Sequence, residues 1–462
     1  MVLALVVVLV MTAGLSYPSR AGNLGFSGEI SLPKVESYRT DTGVRVFHIK
    51  DDLPRVVIVI SAGLGKLYEN RANAGLSEVM AKMFSLGGCD RYPGNALYSR
   101  VESLGGRISI SASWEQTSIS LSVLARHAPE AWDILKSLME APRFEEKYFE
   151  EARSLIKEEL KREKDKASES AIKKMREILY DGNGYGASVT EKSLDALTLE
   201  TVRKAWGTHF TSGNLSVGVS SSLDVPTVRK ALNEVFARTA PGEKKYYRVD
   251  EDRLIQSLKE KNGNIYLVPR DIPQATLVVG TIAPGITYEG NETLQVMNYI
   301  LGMGSFNARL MREIRVKRGL SYSVWSVIRN RKNSGLFMAF AQTRNDSLGE
   351  TLRLMEQNIS LVGREGVTGE ELAWAKKSLS NSYIFEFDTT GSILDKYLFL
   401  DYNELRETYL KDYLKRVNAV TREGVLKQSG ILFGRGFVRV VVGKKDLAKD
   451  LGKYGKVILL ED

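Results

Sequence analysis

Apolar and polar residues alternate along some short stretches of the chain, and along others the apolar ones return every third or fourth position. The run from Arg107 to Ser122 alternates, as a strand does when it buries one face of a sheet. Phe144, Tyr148, Ala152, Leu155, Ile156 and Leu160 recur at helical spacing with glutamate and lysine between them, which predicts a long amphipathic helix. A shorter helix is expected where Leu76, Val79, Met80, Met83 and Phe84 share a face and Gly87-Gly88 supplies the stop.

This pattern occurs twice. From Gly43 the order is strand, turn at Asp51 to Pro54, strand, then Gly65, Tyr68, Glu69 and a helix; from Gly263 it is strand, turn at Asp271 to Pro273, strand, then Gly285, Tyr288, Glu289 and a helix. The offset of about 220 residues persists, with Ser154-Leu155 answered by Ser378-Leu379, Leu197-Thr198 by Val420-Thr421, and the strand from Leu215 by that from Phe437. The expected fold is therefore α+β, in two homologous halves, each a largely antiparallel sheet with one face covered by helices. The expected boundaries are a first half at 22–240, a charged, proline-led linker at 241–262 and a second half at 263–462.

The 462 residues suffice for two or three domains. The net charge of +9 comes from basic residues interspersed with acidic ones along the helices, which gives no reason to expect a nucleic-acid partner. Val2 to Leu15 is almost wholly apolar, too short to span a bilayer as a helix, and precedes Ser19-Arg20-Ala21. Residues 1–21 are expected to form an export signal, with a periplasmic protein as the outcome, although no positive charge precedes Arg20 and a membrane-held form stays open. Cys89 is the only cysteine, so neither an internal disulfide nor a cysteine metal cluster is available.

Two motifs carry chemistry. The helix after Tyr68-Glu69 leads to Met83-Phe84, and in the second half Gly302, Gly304, Ser305, Asn307, Arg309 and Leu310 precede Arg318-Gly319-Leu320-Ser321-Tyr322-Ser323. Together they resemble the pitrilysin/insulinase-like zinc metallopeptidases, including the mitochondrial processing peptidases, over nearly the whole chain after residue 21. In that family the first helix holds an inverted zinc motif, H-x-x-E-H, in which two histidines on one helical face bind zinc and the glutamate takes a proton from the bound water. Aligning the family's leucine-phenylalanine pair with Met83-Phe84 puts the two histidine positions on Ser77 and Ala81, the base on Met80 and the third ligand on Glu158. None of the first three supplies a ligand or a base. Glu158 also reads as an exposed helix carboxylate four residues from Arg162, and His48, His127 and His209 form no ligand-like pair.

The resemblance implies that Arg315 and Tyr322, seven residues apart, stabilise the substrate carbonyl as it becomes an oxyanion, and that the strand Arg107 to Ala112 pairs with extended peptide at Ser109-Ile110. It also implies a chamber needing more halves than this chain supplies. The leading expectation is therefore a non-catalytic subunit that carries no metal itself, pairs with a zinc-bearing homologous chain, binds unfolded peptide and contributes Arg315 and Tyr322 in trans. The alternatives are a structural or binding protein of the same fold and, third, an independently active peptidase.

Overall fold

The computed structural model describes residues 32–460, so the expected signal at 1–21 lies outside the described residues. Among the described residues, twelve strands form two six-stranded sheets. The first contains β1 (Val35–Arg39), β2 (Arg45–Lys50), β3 (Arg55–Ala62), β4 (Arg107–Ala112), β5 (Thr117–Leu124) and β6 (Leu215–Ser221) in the order β1-β2-β6-β3-β5-β4. The second contains β7 (Ile265–Pro269), β8 (Gln274–Ala283), β9 (Ser321–Asn330), β10 (Gly335–Arg344), β11 (Val438–Gly443) and β12 (Val457–Leu459) in the order β12-β7-β11-β8-β10-β9. Five strands correspond pairwise, and only the outer one differs. β1 enters before its half and runs antiparallel to β2, whereas β12 arrives after its half and runs parallel to β7. The pairs β2–β6 and β7–β11 are parallel, as is β12–β7, and the remaining pairs are antiparallel, so each sheet is largely antiparallel.

The repeat has a physical basis at its landmarks. A Cβ at Gly65 would come within 2.6 Å of the Ser113 carbonyl, and one at Gly285 within 3.0 Å of the Lys332 carbonyl, because each glycine passes against the hairpin turn of its own sheet. Thr198 and Thr421 cap their helices through the backbone N–H groups of Thr201 and Gly424.

The expectation of one buried sheet face is exceeded. On β3, Val56, Ile58 and Ile60 face the first half's own helices, among them α1 (Leu76–Gly87) and α2 (Glu146–Lys164); on β8, Ala275, Leu277 and Val279 face the helices of the second half. The other face of each sheet is covered by a helix from the opposite half. From the first half, α3 (Ala167–Leu179) packs Ala171, Met175 and Leu179 on Val278, Phe340 and Val440 of the second sheet. In return, α5 (Thr390–Asn403) packs Ile393, Leu394, Tyr397 and Leu398 on Phe47 and Ile49 of the first. Glycine makes both approaches possible: a Cβ at Gly280 would meet the Met175 sulfur at 2.6 Å, and one at Gly218 would meet the Leu394 Cβ at 3.3 Å.

The span read as a linker is only partly one. Residues 241–250 carry no helix or strand, but Glu251–Lys261 is a helix, α4, capped by Asp250 accepting from the Arg253 N–H. Leu254 and Leu258 lie four residues apart and bury against the second sheet's outer face, and this tertiary contact organises a stretch whose charge density reads as solvated. No described helix is long and apolar enough to cross a membrane.

Candidate functional site

Helix α1 starts on a buried carboxylate. Glu69 is 2% exposed and accepts from the Gly75 N–H at 2.8 Å, the Ser77 N–H at 2.8 Å and the Ser77 hydroxyl at 2.6 Å. Burial pushes its carboxyl above the ordinary range, with these donors opposing the shift. Ser77 is thus fully buried and engaged in capping, Met80 is fully buried in the first core and Ala81 is 4% exposed. None of these positions forms the cleft-facing i, i+4 pair that a metal on this helix requires. That pair is Glu78 and Lys82, and the facing residue on α2 is Glu159, with Glu158 exposed beside it. The alignment on Met83-Phe84 is therefore one residue out of register: in space the ligand positions fall on Glu78, Lys82 and Glu159, and the base on Ala81. Placing Glu78 in the cleft does not turn the apolar face outward, since Val79, Met80, Met83 and Phe84 all stay buried.

Ion pairs occupy this place. Lys66 Nζ lies 2.6 Å from Glu78, and Lys82 Nζ lies 2.9 Å from Glu159. Lys82 puts a fixed positive charge where a divalent cation would sit, and the Ala81 methyl cannot accept a proton. The donor set does not fit zinc. Among the described residues, no group of three or more histidine, cysteine, aspartate or glutamate side chains is placed to hold a metal ion. His48 is 1% exposed, and His209 Nδ1 is 2.8 Å from the Gly63 carbonyl oxygen.

The α1–α2 pairs open onto a cleft of about 850 Å³ bounded by α3 and by Trp114 of the β4–β5 turn. Trp114 is flanked by the guanidinium groups of Arg176 and Arg331, each 4.7 Å from its ring, and by Lys66 at 5.2 Å. The neighbouring Glu115 accepts from the Tyr185 hydroxyl at 2.5 Å and the Lys332 N–H at 3.1 Å, joining the hairpin turns of the two sheets.

In the second half the motif residues divide into scaffold and exposed groups. A Cβ at Gly302 would meet the Ser326 nitrogen at 2.4 Å and one at Gly304 the Trp374 ring at 2.2 Å, so both glycines permit close packing. Arg309 is clamped to Glu371 by bonds of 2.8 and 2.6 Å. The helical turn Met311–Val316 then ends at Gly319, whose φ is +61°; its N–H donates to the Arg315 carbonyl, and the Leu320 N–H to that of Ile314. This reversal carries Tyr322 back beside Arg315, whose guanidinium stacks 4.4 Å from the Tyr322 ring and 5.1 Å from that of Phe306. Tyr322 is 81% exposed, and among the described residues Arg315 forms no ion pair. In β4, Ser109 is exposed and Ile110 half-buried, and β4 closes the sheet, so its outer edge pairs with no described strand.

The chain matches two models of one family: "Insulinase (Peptidase family M16)" over residues 45–193 and "Peptidase M16 inactive domain" over residues 196–379. It belongs to the pitrilysin/insulinase peptidase family. Similar proteins of this family include an uncharacterized zinc protease of Streptomyces coelicolor, 24% identical over 75% of each chain. Another, from Bacillus subtilis, is 22% identical over 88% of this chain and 98% of its own. A solved peptidase M16 inactive domain from Pseudomonas fluorescens superposes with a TM-score of 0.79 at 20% identity, covering 89% of this chain and 98% of that one. A protease from Helicobacter pylori superposes equally well, with 14% identity over 89% of this chain and all of that one. These two structures share the fold of this M16 chain.

Proposed function

We propose that this M16 chain is the non-catalytic member of a two-chain peptidase: a zinc-bearing homologous subunit activates the water, and this chain binds peptide and presents Arg315 and Tyr322 to the scissile carbonyl. One contrast carries the reading. The helix position that serves metal binding in the family is filled by the Lys66–Glu78 and Lys82–Glu159 pairs, whereas the Arg315–Tyr322 pair is stacked and unneutralised, with Tyr322 exposed and Arg315 half-buried. A fixed cation and a phenol hydroxyl held side by side supply two donors to a developing oxyanion without having to be assembled during the reaction. The free edge of β4 at Ser109-Ile110 offers backbone groups to an extended peptide. An N-terminal export signal would place the pair in the periplasm.

A second reading, a structural or binding protein with the peptidase fold, draws on the same loss of metal ligands. Cleavage of an unfolded peptide by this chain mixed with a zinc-bearing M16 chain separates the two. The mixture is expected to cleave and this chain alone to remain inactive, with Arg315→Ala lowering the mixture's rate about 100-fold, the scale of one lost oxyanion donor. A variant as active as the parent makes the chain a scaffold.

A further inference from the structure

We infer that the cleft between α1, α2 and α3 binds a carboxylate of a polypeptide, with Arg176 as the anchoring cation and Arg162 at the rim. This inference concerns the chain alone and holds whether or not a zinc-bearing partner joins it.

The charge balance of the cleft supports it. Its walls carry Lys66, Arg162, Lys166, Lys173 and Arg176 against Glu78, Glu159, Glu163 and Glu169. Each carboxylate already has a lysine: Lys66 on Glu78 at 2.6 Å, Lys82 on Glu159 at 2.9 Å, Lys173 on Glu163 at 3.6 Å and Lys166 on Glu169 at 2.9 Å. Among the described residues, this leaves both arginines without a carboxylate in ion-pair range. The Arg176 guanidinium carbon lies over the Trp114 ring, 4.7 Å from its centroid, and among the described residues its side chain donates no hydrogen bond, so its N–H groups remain for an anion. Burial pushes its pKa down to about 10, with Glu163 opposing and Arg331 adding to the shift, so it stays charged at neutral pH yet lacks the partner that a desolvated cation requires.

Size and setting favour a peptide over a small anion. The cleft of about 850 Å³ is far larger than one carboxylate, and Trp114, at the end of the open β4 strand, supplies an apolar wall for the residue that carries it. The carboxylate can come from an aspartate or glutamate side chain or from a free C-terminus.

The test uses the full chain and unlabelled peptides titrated by isothermal calorimetry at low salt. The three probes are a short alanine-serine peptide, capped at both ends, with one glutamate, the same peptide with glutamine in its place, and the glutamine peptide with a free C-terminal carboxylate. At least one carboxylate-bearing probe is expected to bind about tenfold or more tighter than the fully neutral one, as one charge-assisted pair allows, and which of them does so identifies the source. Arg176→Gln is expected to abolish that preference while Arg176→Lys keeps part of it. Arg162→Gln, at an exposed helix position where folding is not at stake, should reduce it severalfold. Equal binding of all three peptides, or none, overturns the inference without any variant. So does free glutamate competing as well as the peptide, which makes the cleft a general anion pocket, or an unchanged preference in a folded Arg176→Gln protein.

Discussion

Ser77 and Glu78 are neighbours with opposite fates, and the difference is one of helical phase. Ser77 faces the Glu69 carboxylate and closes the N-terminus of α1; Glu78, a hundred degrees further round, faces the cleft and pairs with Lys66. Two triple variants discriminate between the registers. Glu78→His, Ala81→Glu and Lys82→His, with Glu159 kept, is expected to yield a folded protein that takes up zinc by metal analysis after dialysis. Ser77→His, Met80→Glu and Ala81→His instead buries a charge at a position with no exposure and is expected to leave the protein insoluble or unfolded. Zinc uptake by the second variant and not the first would restore the register read from Met83-Phe84. Lys82 and Trp114 escaped the sequence reading because neither residue type marks a peptidase site. The signal available was a charged pair four residues apart, Glu78 and Lys82, on an otherwise apolar helix.

At the scale of elements, α3 and α5 are the exchanged parts, and each is tied down differently. α3 combines apolar burial with bonds from the Arg270 guanidinium to the Ser170 hydroxyl at 3.2 Å and from Lys261 to the Ile178 carbonyl at 2.8 Å, whereas α5 is bonded to the first sheet at both ends: Thr390 donates to Asp51 and accepts from Ser220, each at 2.8 Å, and Asp401 accepts from Arg45 at 2.5 Å and from the Ser216 hydroxyl. Leu394 is fully buried above Gly218, so Leu394→Ala removes a side chain that the glycine leaves no neighbour to replace. A loss of about 2–5 kcal/mol in denaturant-measured stability is expected. A change below about 1 kcal/mol would mean that α5 is not anchored by this contact. The period-two pattern over Arg107 to Ser122, which became β4 and β5, was legible as sheet. That both faces are covered was not, because alternation records burial and not the origin of the covering helix.

For the whole molecule, acid sensitivity follows from buried titratable groups. Among the described residues His48 has no hydrogen-bond partner for either ring nitrogen, and burial lowers its pKa, with Glu36 and Asp224 opposing; burial also lowers that of His209, with its Gly63 bond opposing and Lys245 adding. Both are therefore neutral in the folded protein at a pH where the unfolded chain takes up protons. Stability should be level above about pH 7 and fall as pH drops below about 6.5, by at most one proton's slope for each histidine. His48→Leu should flatten part of that decline in thermal melts between pH 7 and 5, and a curve parallel to the parent's would remove His48 from the account. Burial alone would raise the carboxyl of Asp51, but the Leu53 N–H, Thr390, Ser220 and Arg55 hold it below the usual range. Its contribution is present above about pH 4 and disappears as pH falls through the lowered folded value, so the contact between the first sheet and α5 should weaken there too.

Periodicity and repetition along the chain determined the two-half α+β plan, because strand and helix spacing and the turn glycines are local properties that recur wherever the same local structure is needed. The Arg315–Tyr322 pair was legible for a similar reason: a helix end, a left-handed glycine and a strand start lie within a few residues and place the two side chains together. Only the tertiary structure decided which face of α1 looks into the cleft, that Lys82 and Glu159 fill it, that Arg176 is left without a carboxylate, and that each half lends a helix to the other. Those outcomes depend on residues far apart in the chain meeting in space, and contacts over such separations leave no period in a sequence.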